Sequence, residues 1–130
     1  MKAIHKSGKR KTSIAKATLN QGKGTVRINS KLLENHTPEI AKMKIMEPLL
    51  LAGDQIKGFN ISVSVNGGGW SSQADASRLA IARCLVETNK NLKKKFLDYD
   101  RHLLVADTRR KETCKPNDSK ARAKRQKSYR

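Results

Sequence analysis

The sequence predicts an α+β domain of two layers, in which helices cover one face of a sheet and a basic tail follows. Three observations indicate this fold. Residues 59–65 alternate between apolar and polar types, the segment after Ser72 has the 3.6-residue period of a helix, and residues 106–130 hold too few apolar residues to pack. A chain of 130 residues with 36% hydrophobic residues can bury one modest core. We therefore predict a globular domain at 1–105 and an extended tail at 106–130.

Two short strands are predicted near the start of the chain, at Thr12–Asn20 and Thr25–Asn29. The residues between them, Gln21–Gly24, include two glycines that can supply the positive φ of a tight hairpin. The alternation in these strands is loose, because Lys16 and Arg27 fall inside them. One face of the sheet is therefore expected to meet a polar partner.

A first helix is predicted to start at Thr37-Pro38-Glu39. This triplet offers a capping hydroxyl, a proline at the first helical position and an acid near the positive end of the helix dipole. Pro48 is expected to kink or restart the helix, because proline lacks the backbone N–H that the helix needs. Gly53 is expected to end it.

The clearest strand is Phe59–Val65, in which apolar and polar residues alternate without exception. The apolar side chains belong to Phe59, Ile61, Val63 and Val65. The side chains that point the other way belong to Asn60, Ser62 and Ser64. One face of this strand is therefore predicted to lie in the core, and the opposite face to be solvated or bound.

A long helix of about 18 residues is predicted to open with a capping box at Ser72-Gln73-Ala74-Asp75. Arg78 and Arg83 lie off its apolar stripe. The stripe itself consists of Ala74, Ser77, Ile81, Cys84, Leu85 and Thr88. A further helix is predicted at Leu92–Tyr99, and Leu103–Val105 is the last apolar cluster.

Positive charge is concentrated at the two ends of the chain. The sequence holds 29 Lys and Arg against 11 Asp and Glu, a net charge of +18. Residues 1–33 contain nine cations and no acid, residues 34–105 are nearly neutral, and residues 106–130 contain ten cations and three acids. A basic surface kept only for solubility would not be split in this way. The pattern predicts a nucleic acid partner, and the lack of a Leu/Phe/Trp face at either end argues against membrane binding.

The glycine run Gly67-Gly68-Gly69 stands between a predicted strand and a predicted helix. It matches neither the Walker phosphate loop nor the dinucleotide-binding fingerprint. Two interpretations stay open. The helix start could hold one phosphate, or the glycines could form a connection in which side chains would obstruct packing.

No motif in the sequence indicates catalysis. The three histidines are scattered, and no nucleophile, base or carboxylate pair has a catalytic spacing. Cys84 and Cys114 are far apart, so a disulfide or zinc site is not expected and a reducing cytoplasm is the predicted location. The chain has no apolar run that could be a signal sequence or a membrane span. We predict no enzymatic activity, no cofactor, no metal site and no small-molecule substrate.

Several motifs, in this order, resemble small-subunit ribosomal protein nine, the universal S-nine family, over the whole chain. They are Gly8-Lys9-Arg10-Lys11-Thr12, Gly22-Lys23-Gly24, Met46-Glu47-Pro48-Leu49-Leu50, Gly67-Gly68-Gly69, Gln73-Ala74, Ala80-Ile81-Ala82-Arg83, Asp107-Thr108-Arg109-Arg110 and Gln126-Lys127-Ser128-Tyr129-Arg130. The sequence of residues 46–53 and the Lys-Ser-Tyr-Arg ending resemble those of the archaeal and eukaryotic branch. The short length favours the archaeal one.

The resemblance implies a mixed sheet with helices on one face, similar to the second domain of small-subunit ribosomal protein five, with a left-handed β-α-β crossover. It implies a structural place in the head of the small subunit, in contact with small-subunit ribosomal RNA and neighbouring head proteins. It also implies that the tail reaches the peptidyl-site transfer RNA. The residues that we predict to bind ribosomal RNA are Lys9, Arg10, Lys11, Arg83, Arg109, Arg110, Lys111, Lys120, Arg122, Lys124 and Arg125. Those for transfer RNA are Lys127, Ser128, Tyr129 and Arg130.

One segment departs from the family pattern. Residues 113–118 contain an acid and a cysteine where the family is usually more basic and richer in glycine, which puts the RNA contacts of that segment in doubt. Tyr129 could stack on a base or stand exposed without a partner. Two other classes of protein stay open as alternatives to a ribosomal protein. One is a basic subunit of an RNA-processing enzyme with a catalytic RNA, and the other is a DNA-compacting protein.

Overall fold

The computed structural model describes residues 3–116 and 120–122. The sheet contains five strands: β1 (Ile4–Arg10), β2 (Ser13–Gln21), β3 (Val26–Ile28), β4 (Lys31–Leu32) and β5 (Phe59–Asn66). The helices are α1 (Glu39–Ala52), α2 (Trp70–Thr88) and α3 (Leu92–Tyr99), with short 3-10 turns at Leu33–Asn35, Gly53–Gly58 and Arg101–Leu103. The predicted α+β class is confirmed.

The strands lie in the order β1-β2-β5-β3-β4, and β3 and β5 are the one parallel pair among them. The sheet is therefore mixed, as the resemblance implies. Since α1 lies between β3 and β5 in the sequence, the expected β-α-β crossover is present, and its handedness stays a prediction. Helix α2 packs on β1, β2 and β5, and α1 packs on α2. These helices cover one face of the sheet.

The predicted hairpin between the second and third strands is wrong. β2 and β3 do not pair with each other, because both flank β5, which comes about thirty residues later in the chain. The Gln21–Gly24 segment crosses the end of β5 instead of turning back. There the side-chain oxygen of Asn60 accepts hydrogen bonds from the backbone N–H groups of Lys23 (2.9 Å) and Thr25 (3.1 Å).

The start of α1 also differs from the prediction. Pro38 is the capping residue rather than the first helical one, it follows a cis peptide bond, and the Thr37 side chain makes no capping hydrogen bond. The helix continues through Pro48 without restarting, and the buried ring of this proline packs in the core. Gly53 ends the helix as predicted, with φ of 59° and its N–H bonded to the Leu49 carbonyl.

The three later elements match their predictions closely. β5 has the expected alternation, with Ile61, Val63 and Val65 buried. Helix α2 begins two residues before the predicted cap, so that Ser72 lies in its first turn and its Oγ accepts from the Gly69 N–H (3.2 Å). The predicted stripe of α2 is buried apart from its last member, and the helix is also buried on its flanks because α1 and α3 pack there. Helix α3 has the predicted bounds.

The described residues after Leu103 form no helix or strand. Leu103 itself is fully buried in the core. The boundary between a domain at 1–105 and a tail at 106–130 stays a prediction. None of the described helices is long and apolar enough to cross a membrane.

Candidate nucleic-acid interface

The turn between β1 and β2 carries the first three predicted RNA-binding residues. Lys11 stands at the turn with φ of 52° and is exposed, which leaves its ammonium group accessible. Lys9 is half-buried on β1. Arg10 points toward the helices, and its side chain is only 19% exposed. Of these three cations, Lys11 is therefore the one most available to a polyanion.

Arg10 is held by two carboxylates. Its Nη1 lies 2.8 Å from Asp107 Oδ2, and its Nε lies 3.7 Å from Asp75 Oδ2. Asp107 also accepts from Arg109, whose Nη2 is 2.7 Å from Oδ2. This cluster fastens the segment after residue 105 to the end of β1. Arg109 remains 78% exposed and carries the outward positive charge of the cluster.

The two arginines hold the pKa of the Asp107 carboxyl well below its usual range. The largest cause is the side-chain hydrogen bonding from Arg109, followed by the Arg109 backbone N–H and then the charge of Arg10. A carboxyl whose pKa is lowered by folding stabilises the folded state above its unfolded pKa of about 4, and that contribution is lost as the pH falls through the folded value.

We expect Asp107→Asn to lower the thermal midpoint at neutral pH and to flatten its fall below about pH 4. The asparagine removes the charge that Arg10 and Arg109 stabilise. The measurement is a set of thermal melts between about pH 7 and about pH 2, on wild type and variant. A variant with the same acid dependence as the wild type would contradict the role of this carboxylate. Asp100 is a second source of acid sensitivity, because hydrogen bonds from the His102 N–H and Arg78 outweigh the effect of burial and lower its pKa.

Arg83, another predicted RNA-binding residue, is bonded inside the domain. Its Nη1 donates to the Ser7 carbonyl (2.7 Å) and its Nε to the Leu104 carbonyl (3.1 Å). These bonds join α2 to β1 and to the chain after α3. RNA binding by Arg83 stays a prediction. The observed bonds show that its guanidinium stabilises the domain.

The glycine turn before α2 resolves into a tightly packed connection. Gly67 and Gly68 have φ of 77° and 67°, which favour glycine. A β-carbon at Gly67 would lie 2.7 Å from the Thr12 carbonyl oxygen. Ser13 fills the inside of the turn, with its Oγ 2.8 Å from the Gly67 oxygen and 2.9 Å from Ser72 Oγ. The geometry therefore favours the packing interpretation of this motif over phosphate binding.

Trp70 is a surface residue that the sequence analysis did not single out. It is the only tryptophan of the chain, it is the first residue of α2, and it is 52% exposed. Together with Arg10, Lys11 and the glycine turn it lines an open groove of about 380 Å³. An exposed indole beside cations is suited to a nucleobase. The signal available in the sequence was a lone tryptophan directly after three glycines.

The predicted tail residues fall into two groups. Arg110, Lys111 and Lys120 are exposed, and Arg122 is exposed while its Nη2 pairs with Glu112 Oε1 at 2.6 Å. The others lie outside the described residues: Lys124, Arg125, Lys127, Ser128, Tyr129 and Arg130. Their RNA contacts stay predictions.

The cysteines and metal ligands show no reactive arrangement in residues 3–116 and 120–122. Burial in α2 raises the pKa of the Cys84 thiol to about 11, so the thiol is protonated and inert at neutral pH. Cys114 is exposed and free. Within the same residues, no group of three His, Cys, Asp or Glu side chains could hold a metal ion.

A family model described as ribosomal protein S9/S16 matches residues 8–130. The chain belongs to this ribosomal protein family. The small ribosomal subunit protein uS9 of Methanococcus maripaludis is 52% identical over 134 residues in strains S2, C7 and C5, and each alignment covers all of both chains. The archaeal-like resemblance is thereby confirmed. As a ribosomal protein, the chain has a structural and not an enzymatic role.

Proposed function

We propose that the chain is a structural constituent of the small ribosomal subunit, located in its head and therefore cytoplasmic, where it binds small-subunit ribosomal RNA. We also propose that its C-terminal residues contact the peptidyl-site transfer RNA. The observation that carries the proposal is the family match, which spans residues 8–130 and so includes basic residues near both ends of the chain.

The charges support RNA as the main partner. Folded RNA is bound largely by neutralising its phosphates, which releases counterions and gives little sequence preference. The exposed cations at Lys11, Arg109, Arg110, Lys111 and Lys120 are suited to this task. Arginine adds paired hydrogen bonds to phosphate, which a lysine cannot make. The arginines bonded inside the domain would act indirectly, by fixing the segments that carry the exposed cations.

Protein neighbours in the head would need a different surface. Helix α1 turns three large apolar side chains outward: Ile40 is 61%, Met43 is 59% and Leu50 is 71% exposed. The inner face of α1 includes the buried residues Ala41 and Ile45, so the helix has apolar side chains on both its inner and its outer side. Exposed apolar surface of this kind favours a protein partner over RNA.

Sedimentation tests the proposed function directly. We expect the chain, tagged at its N-terminus and expressed in an archaeal host such as Methanococcus maripaludis, to comigrate with small subunits in a sucrose gradient. Ribosomal proteins bound by many phosphate contacts should leave the particle only at high salt. Migration with a smaller RNA-containing particle would favour the RNA-processing subunit, and migration with DNA would favour the compacting protein. Either result would overturn the proposal.

A further inference from the structure

We propose that the open face of the sheet is a second RNA-binding surface, which takes the sugar–phosphate backbone of RNA rather than its bases. The open face consists of the side chains that β1, β2, β5 and β3 turn away from the helices. The RNA-binding residues predicted from the sequence do not include His5, Ser7, Lys16, Thr18, Arg27, Ser62 or Ser64 of this face. The inference rests on the proposed function, because it assumes ribosomal RNA as the partner.

One row of this face crosses four strands. The strand register sets His5 of β1 opposite Thr18, Thr18 opposite Ser62 of β5, and Ser62 beside Arg27 of β3. Adjacent strands are about 4.8 Å apart, so the row is about 14 Å long. His5 Nδ1 and Thr18 Oγ1 are 3.0 Å apart and are hydrogen-bonded. The row thus has an arginine at one end and hydrogen-bonding groups along the rest.

The next row has a lysine at its centre. Lys16 of β2 stands between Ser7 of β1 and Ser64 of β5, and all three are exposed. Lys16 and Arg27 are two strands and two residues apart, so their Cα atoms are separated by about 12 Å. Both are long side chains on one side of the sheet, and one RNA segment can contact both.

The charge of the sheet is of one sign. The five strands contain six Lys and Arg residues and no Asp or Glu. Within residues 3–116 and 120–122, no carboxylate lies within 4.0 Å of a Lys16 or Arg27 nitrogen, whereas Arg10 and Arg78 each have two carboxylate partners. An exposed surface with free cations and no acid is complementary to a polyanion.

The side chains on this face favour contact with the backbone of RNA. The only Phe, Tyr or Trp residue in the strands is Phe59, which belongs to the half-buried inner face of β5. Base stacking therefore has no Phe, Tyr or Trp platform here, and the imidazole of His5 is the single ring on this face. Serine and threonine hydroxyls can donate to phosphate and ribose oxygens, and Lys16 and Arg27 can neutralise phosphates. An apolar protein partner would find little to bury.

The test compares two charge-matched variants of the full chain. Lys16→Gln with Arg27→Gln removes the two cations of the open face, and Lys93→Gln with Lys94→Gln removes two exposed lysines of α3. Affinity for a small-subunit ribosomal RNA transcript is measured between about 50 and about 200 mM salt. We expect the sheet variant to lower the slope of log affinity against log salt by about 1.5, since each phosphate contact contributes about 0.7 to 0.9. The loss of affinity relative to wild type should then shrink about eightfold across this salt range, while the α3 variant stays close to wild type.

The outcomes separate this inference from the proposed function. Unchanged thermal melts are expected for both variants, because all four side chains are exposed. If the wild type binds the transcript and the sheet variant binds with the same slope, the open face is not an RNA surface and the proposed function stands. An equal decrease of the slope in the α3 variant would show that the effect depends only on net charge, and it would also overturn the inference. If the wild type neither binds the transcript nor enters small subunits, the proposed function itself fails.

Discussion

Gly8→Ala is expected to destabilise the domain by about 3 kcal/mol or more, at the upper end of what overpacked cores cost. A β-carbon at Gly8 would overlap the Ala76 carbonyl oxygen and lie 2.8 Å from the Ala80 backbone nitrogen. Both atoms belong to the backbone of α2, so no side chain can rotate to make room. The helix would have to move away from β1, and the buried contacts between them would be lost.

Small residues on both sides make this close approach possible. Gly8 pairs with Ala15 of β2, and Ala15, Ala76 and Ala80 are all fully buried. The glycine of the Gly8–Thr12 motif is thus required for packing, while Lys11 at the turn is exposed. The motif thus combines a packing requirement with a proposed RNA contact within five residues.

Urea unfolding followed by Trp70 fluorescence measures the effect of Gly8→Ala. Gly58→Ala is the matched control, because no atom lies within 4 Å of its β-carbon position and its φ is not in the left-handed region. That control should be neutral or stabilising by up to about 1 kcal/mol, since alanine restricts the unfolded chain. A Gly8→Ala protein that unfolds at the wild-type urea concentration would contradict the close packing of α2 on β1.

The elements that could be predicted from the sequence are those specified by local periodicity. β5 alternates with a period of two, and α2 and α3 repeat with a period near 3.6, so neighbouring residues alone indicate them. β1 was missed because its inward positions include Gly8, which gives no apolar signal. The pairing of β2 and β3 with β5 depends on residues far apart in the chain, and glycines at Gln21–Gly24 are equally compatible with a hairpin.

The candidate interface shows a similar division. The sequence places basic residues at both ends, but it does not tell which of them are bonded within the domain. Arg10 and Arg83 have tertiary partners, Asp107 and the Ser7 carbonyl among them, that only folding brings near. Lys16 and Arg27 could be recognised in the sequence as charged residues that interrupt the apolar alternation of two predicted strands. Their alignment with serine and threonine hydroxyls required the strand register.

Deleting residues 127–130 is expected to leave assembly into small subunits nearly intact and to weaken transfer RNA binding at the peptidyl site by about tenfold to a hundredfold. The deletion removes Lys127 and Arg130, two cations of a segment without acids, together with Tyr129. A stacked aromatic contributes about 1–3 kcal/mol per base, and each lost phosphate contact adds a salt-dependent part. The core described within residues 3–116 ends at Leu103, so the deletion removes none of its buried side chains.

The measurement is filter binding of transfer RNA to purified, messenger-programmed small subunits that carry either the full or the shortened chain. Lys124→Gln with Arg125→Gln is the matched control, because it removes the same number of charges from the residues expected to contact ribosomal RNA. It should affect assembly or salt resistance more than transfer RNA affinity. Tyr129→Ala separates stacking from charge, since a stacking contact is lost without altering the salt slope. A shortened chain that fails to enter subunits would make the last four residues an assembly element, and normal transfer RNA affinity in assembled subunits would remove their proposed role.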